Sequence, residues 1–112
     1  MSIEIKLGKI REVTMGHGGY QDAAFGFTFQ LGGDGWGVHD FWGAWPFSFK
    51  RSEYAKWTDD DRQNENLQAY KKIQELMEAA KVNDLNQLKN IPIETTFDGN
   101  LLKSWRILKE VL

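Results

Sequence analysis

Ala23-Ala24-Phe25-Gly26-Phe27-Thr28-Phe29-Gln30-Leu31 alternates large apolar side chains with small or polar ones, and Gly32-Gly33-Asp34-Gly35 follows at once. A period of two is the mark of a strand with one face in a core. The Gly/Asp run supplies the positive φ that hairpin turns demand. Trp36 to Ala44 then reads as the returning strand, where Gly37 and Gly43 signal a bulge or a close backbone approach. Upstream, Ile3, Ile5 and Leu7 alternate with Ser2, Glu4 and Lys6, the pattern of a half-buried strand. Gly8 is expected to bend or bulge it before Ile10 to Met15 continues, and Gly16-His17-Gly18-Gly19 reads as a loop.

Downstream the period changes. Thr58 is a helix N-cap by type, and Asp59, Asp60 and Asp61 complement the free N–H groups of a first turn. Leu67, Tyr70, Ile73, Leu76, Met77 and Ala80 recur at three- and four-residue steps, one apolar stripe on a long helix. Val82-Asn83-Asp84 breaks that helix, and Leu85 and Leu88 fit one short turn before Pro92. Ile93 to Phe97, Asp98-Gly99-Asn100 and Leu101 to Leu112 form a second hairpin signal, with Trp105, Ile107 and Val111 alternating against Arg106, Leu108 and Glu110. The expected fold is α+β: an antiparallel sheet of about five strands, ordered β-β-β-α-β-β along the chain, with one long helix packed on one face. A single domain over residues 1–112 is expected: Gly- and aromatic-rich strands over 1–45, an aromatic loop over 46–57, the helix over 58–81 and a C-terminal hairpin over 91–112.

Composition narrows the function classes. With 112 residues and no Cys, the chain has no disulfide framework, no thiolate metal site and no cysteine nucleophile. A net charge of −2 argues against holding duplex nucleic acid by phosphate neutralisation. No apolar run approaches the roughly 18–20 residues of a membrane span, and the first residues read as a strand rather than a signal peptide, so a cytoplasmic domain without a membrane is expected. The averages conceal two textures. Ten of the 11 Gly precede Ala44, and from Val13 to Phe49 the only charged residues are Asp22, Asp34 and Asp40.

Two segments carry a resemblance. Gly16-His17-Gly18-Gly19-Tyr20-Gln21-Asp22-Ala23 leading to Gly33-Asp34-Gly35-Trp36-Gly37-Val38 is one, and Ile91-Pro92-Ile93-Glu94-Thr95-Thr96-Phe97-Asp98-Gly99-Asn100-Leu101-Leu102-Lys103-Ser104-Trp105-Arg106-Ile107-Leu108 is the other. Together they resemble small, mostly uncharacterised proteins encoded by tailed bacteriophages and prophages, over most of the chain from Ile10 onward. The resemblance carries no catalytic motif and transfers no functional residue. It implies a context, the cytoplasm of a bacterial host.

Several local patterns invite chemistry. A phosphate cradle needs Gly-rich backbone running into a helix N-terminus. Here Gly16 to Gly19 precedes a strand and Gly32 to Gly37 joins two, so hairpin geometry is the better reading. His17, Asp22, His39 and Asp40 are the residue types of a metal or acid–base pocket. They have no ligand spacing, the two histidines belong to different elements, and His17 between glycines reads as a turn residue; no metal and no cofactor is expected. Ser2, Ser48, Ser52 and Ser104 have no triad context.

The aromatic run is the most informative feature: Phe41, Trp42, Trp45, Phe47, Phe49, Tyr54 and Trp57 fall within 17 residues. Pro46 ends the strand near Trp45, leaving a loop to carry the rest. Either that loop closes the sheet and buries its own rings, or some of Trp42, Trp45, Phe47 and Trp57 form an exposed contact patch. The expected function is non-catalytic: a phage-type accessory protein that binds a protein partner through an aromatic, mildly acidic surface, inhibition of a host-defence complex being one instance. Homodimerisation through the same patch is its simplest version. One alternative is single-stranded nucleic-acid binding, with Trp45 and Trp57 stacking on bases and Lys50, Arg51 and Lys56 on phosphates. Another is a small enzyme or ligand-binding protein using the His17, Asp22, His39 and Asp40 set.

Overall fold

Sixteen consecutive residues, Ile3–Gly18, form one strand, β1, too long for a single neighbour to pair along its whole length. The computed structural model describes residues 2–50 and 52–112, and Tyr20 by its backbone alone. Lys9 to Gly18 pair with β2 (Ala24–Gly33), whereas Ile3 to Lys9 pair with β4 (Pro92–Asp98). With β3 (Trp36–Ala44) outside β2 and β5 (Leu101–Ile107) outside β4, the antiparallel order is β3-β2-β1-β4-β5. One helix, α1 (Asp59–Ala80), links the two hairpins, so the α+β class and the order of elements are as the sequence suggests.

The sheet curls, and its concave face holds the core. Phe29, Leu31, Ile10 and Ile93 are fully buried there, each contributing roughly 1.5–3 kcal/mol relative to exposure. The curl brings the outermost strands together: Trp42 of β3 stacks on Trp105 of β5 with ring centroids 5.6 Å apart, and Phe29 lies 4.4 Å from Trp42. Across the other end of the concave face, Trp36 meets Phe97 edge-on at 5.6 Å. The Trp36 indole passes over Gly8, where a Cβ would lie 2.7 Å from Cζ2. Gly8 is therefore flat strand beneath an indole. The bulge falls instead between Ile10 and Glu12, where the register shifts by one.

That bulge reverses the phase of β1. After it, Val13 and Met15 share the concave face with their partners Phe29 and Phe27. Before it, Ile3, Ile5 and Leu7 pair with Asp98, Thr96 and Glu94 on the convex face and are 57%, 60% and 63% exposed. The face expected to be half-buried is the open one, because parity counted along the sequence does not survive an inserted residue. The loop expected at Gly16 to Gly19 is strand as far as Gly18, and His17 pairs with Phe25. On the convex side Phe41 lies over Gly18 and Gly43, where a Cβ would come within 2.9 and 2.8 Å of its ring. Much of the glycine in these strands thus makes room for rings.

Helix α1 begins as its sequence directs. Thr58 Oγ1 accepts from the Asp61 N–H at 3.1 Å, and Asp61 Oδ2 accepts from the Thr58 N–H at 2.7 Å, a reciprocal capping box. Its buried stripe is Ala69, Ile73, Leu76 and Ala80; Leu67 and Tyr70, expected on that stripe, are exposed. The helix ends at Lys81 in the left-handed conformation (φ 59°). A short 3-10 helix, Leu85–Leu88, capped by Asp84, leads into β4. After β5 a last 3-10 turn, Lys109–Val111, replaces the expected continuation of the strand to Leu112.

Candidate functional site

Among the described residues, 45–50 and 52–58 carry no strand or helix, yet three of their rings pack against one another. Trp45 stacks on Phe49 at 4.9 Å and on Trp57 at 6.2 Å, and Phe49 also contacts Trp57 at 6.5 Å. The first turn of α1 holds this cluster. Arg62 donates through Nη1 to the carbonyls of Pro46 at 2.9 Å and Phe49 at 2.8 Å, and through Nη2 to Asp59 at 2.8 Å. Its guanidinium lies 5.4 Å from the ring centres of both Phe47 and Trp57. One cation thus fixes the turn, two rings and the helix start. The outer members remain open: Phe47 is 65% exposed and Phe49 also reaches solvent, and in the same loop Tyr54 is 86% exposed. Lys50 and Lys56 are exposed nearby in sequence, and Arg51 lies outside the described residues.

Trp42, grouped with these rings in the sequence, has its ring contacts elsewhere. Its Nε1 donates to Asp40 Oδ2 at 3.1 Å, and the Trp105 Nε1 donates to the same oxygen at 2.7 Å. Asp40 Oδ1 accepts from the Phe41 N–H at 2.9 Å. The carboxylate therefore satisfies two indoles and a backbone amide, which suits a part-buried charge in a structural role. Lys72 of α1 lies 5.6 Å from the Trp42 ring. Beyond the indoles, between α1 and β5, runs an open groove of about 980 Å³ lined by Glu75, Leu76, Lys103 and Arg106 among others. At its rim Arg106 bonds Glu110 at 3.0 Å and Glu94 at 3.2 Å. The hydrogen bond from Arg106 holds the Glu110 carboxyl down at about 2, and the two acids raise Arg106 above its ordinary value.

The His17, Asp22, His39 and Asp40 set is not assembled into one pocket. His17 lies on the concave face in register with Phe25, touching its ring edge-on at 5.4 Å, whereas His39 pairs with Gln30 on the convex face. Asp22 is exposed in a 3-10 turn, Tyr20–Asp22, and Asp40 is committed to the indoles. Among the described residues no three His, Cys, Asp or Glu side chains converge as a metal site. The residue that sequence reading passes over is Arg62. Its one signal is the i,i+3 spacing from Asp59 in a first helical turn directly after the aromatic segment.

No protein-family profile matches this chain, and no curated protein or solved structure is significantly similar to it. No helix among the described residues is long and apolar enough to cross a membrane.

Proposed function

We propose that the chain acts, without catalysis, by binding a protein partner through the aromatic surface of residues 45–57, with Phe47 and Tyr54 as its outermost contacts. The observation that carries this reading is a cluster of large rings anchored by Arg62 yet open to solvent at Phe47 and Phe49. Rigid aromatic surface binds at low entropic cost, and such residues dominate interface hot spots. Exposed Lys50, Lys56, Asp60 and Asp61 flank these rings in sequence with both signs of charge, which favours a specific protein surface over a polyanion. The resemblance to phage and prophage proteins supplies a context, an accessory protein in a bacterial host that engages a host or phage protein, with inhibition of a defence complex as one instance.

Single-stranded nucleic acid is a weaker occupant. Its bases need open ring faces beside a positive groove. Here Trp45, Phe49 and Trp57 already stack on one another, and that removes platforms a base would use.

The test is capture from a bacterial lysate on immobilised wild type and on the Phe47→Ala/Tyr54→Ala variant, quantified by mass spectrometry. At least one protein should be enriched on wild type and lost from the variant, while circular dichroism of the two stays the same. Identical capture would overturn the proposal. So would salt-sensitive quenching of the Trp fluorescence by an oligonucleotide that the lysate proteins do not compete away.

A further inference from the structure

The pairing of β1 leaves its first half with one open side. β2 pairs with β1 only from Lys9 onward, so on that side Ile3 to Gly8 have no neighbouring strand among the described residues. The backbone groups facing this opening can be identified. Ile10 donates to Ile91 and accepts from Asn90, and the Ser2 carbonyl accepts from Gly99, so the even-numbered residues before the bulge turn towards β4. The odd-numbered Ile3, Ile5 and Leu7 therefore turn their N–H and C=O groups the other way. The Leu7 carbonyl bears this out: it points at Gly33, lying 2.7 Å from where a Cβ there would be, and so marks the end of the opening. Ile3, Ile5 and Leu7 are also among the exposed large apolar residues of the fold.

We infer that this five-residue edge, Ile3-Glu4-Ile5-Lys6-Leu7, pairs antiparallel with the same edge of a second copy of the chain, about a two-fold axis through Ile5. The segment is its own complement in that register. Ile5 faces the partner's Ile5, Ile3 faces the partner's Leu7, and both are pairs that exchange backbone hydrogen bonds. Between them Glu4 faces the partner's Lys6, twice over. Sliding by two residues either way, the step that keeps the hydrogen-bonding groups opposed, sets Glu4 against the partner's Glu4 or Lys6 against the partner's Lys6. Charge therefore selects one register. A lone edge lysine would repel a second copy; a Glu and a Lys two residues apart attract it in this register. The Gly33 turn beside Leu7 limits the pairing to these five residues. An isologous contact of this kind closes on itself and leaves residues 45–57 free for another partner.

Sedimentation equilibrium on the full chain, over a range of concentrations up to millimolar, tests the pairing. Wild type should pass from the 12.9 kDa monomer to twice that mass. Glu4→Lys alone and Lys6→Glu alone should each remain monomeric, with unchanged circular dichroism. The Glu4→Lys/Lys6→Glu double variant should dimerise again, and a mixture of the two single variants should give a heterodimer. Ile5→Pro, which removes an outward N–H and no bond to β4, should also be monomeric. A wild type that stays monomeric throughout would overturn the inference. So would a dimer that survives Glu4→Lys, or one lost instead on Phe47→Ala.

Discussion

Two aromatic clusters of this protein are each organised by one charged side chain. In the sheet, Asp40 receives the indole N–H groups of Trp42 and Trp105, whose rings pack on Phe29 inside the curl. In the loop, Arg62 donates to the backbone beneath the rings and spreads its guanidinium across Phe47 and Trp57. The residue types are the same; the direction of the hydrogen bonds is not. An anion that accepts from ring N–H groups fixes the rings themselves and commits them to the core. A cation that donates to carbonyls fixes the chain, and the outer ring of Phe47 stays 65% exposed. The number of aromatics in a segment therefore says less about function than which partner holds them.

Substitution should break the two clusters differently. Phe29→Ala removes a fully buried ring from the closed cluster and should cost about 3–5 kcal/mol in urea unfolding. Asp40→Ala leaves two indole N–H groups without an acceptor and should cost about 2–4 kcal/mol by the same measurement. Arg62→Met should act mainly on the loop. Global stability should fall by about 1–3 kcal/mol, and trypsin should cleave after Lys50 or Lys56 well before the sheet opens. The smallest effect lies outside both clusters. Glu110, held at about 2 by its hydrogen bond with Arg106, contributes stability that is present above its ordinary value of 4.5 and is lost as the pH falls through about 2. Because the pair is exposed, that contribution is slight. NMR titration of Arg106→Leu should return the Glu110 midpoint towards 4.5 without disturbing either set of rings.

The strand at Phe25 to Leu31, the turn after it and the capped helix are legible in the sequence because each rests on a local rule: period two, Gly/Asp turn chemistry and an N-cap threonine followed by first-turn acids. The face of Ile3, Ile5 and Leu7 is not, since one extra residue near Arg11 reverses parity and nothing local announces it. The role of Asp40 depends on Trp105, which lies 65 residues away in sequence and meets it only because the sheet curls. The aromatic loop was visible as a surplus of rings. Its clamp was not, because an arginine in a helical turn looks like any solvated cation until the loop folds over it.

The division between a structural and an exposed cluster is tested most directly by urea unfolding of Trp42→Ala beside Phe47→Ala/Tyr54→Ala. Trp42→Ala should lose at least about 2 kcal/mol, and the double variant should stay within about 0.5 kcal/mol of wild type. Equal losses from the two would contradict the division and place Phe47 and Tyr54 among the residues that hold the fold.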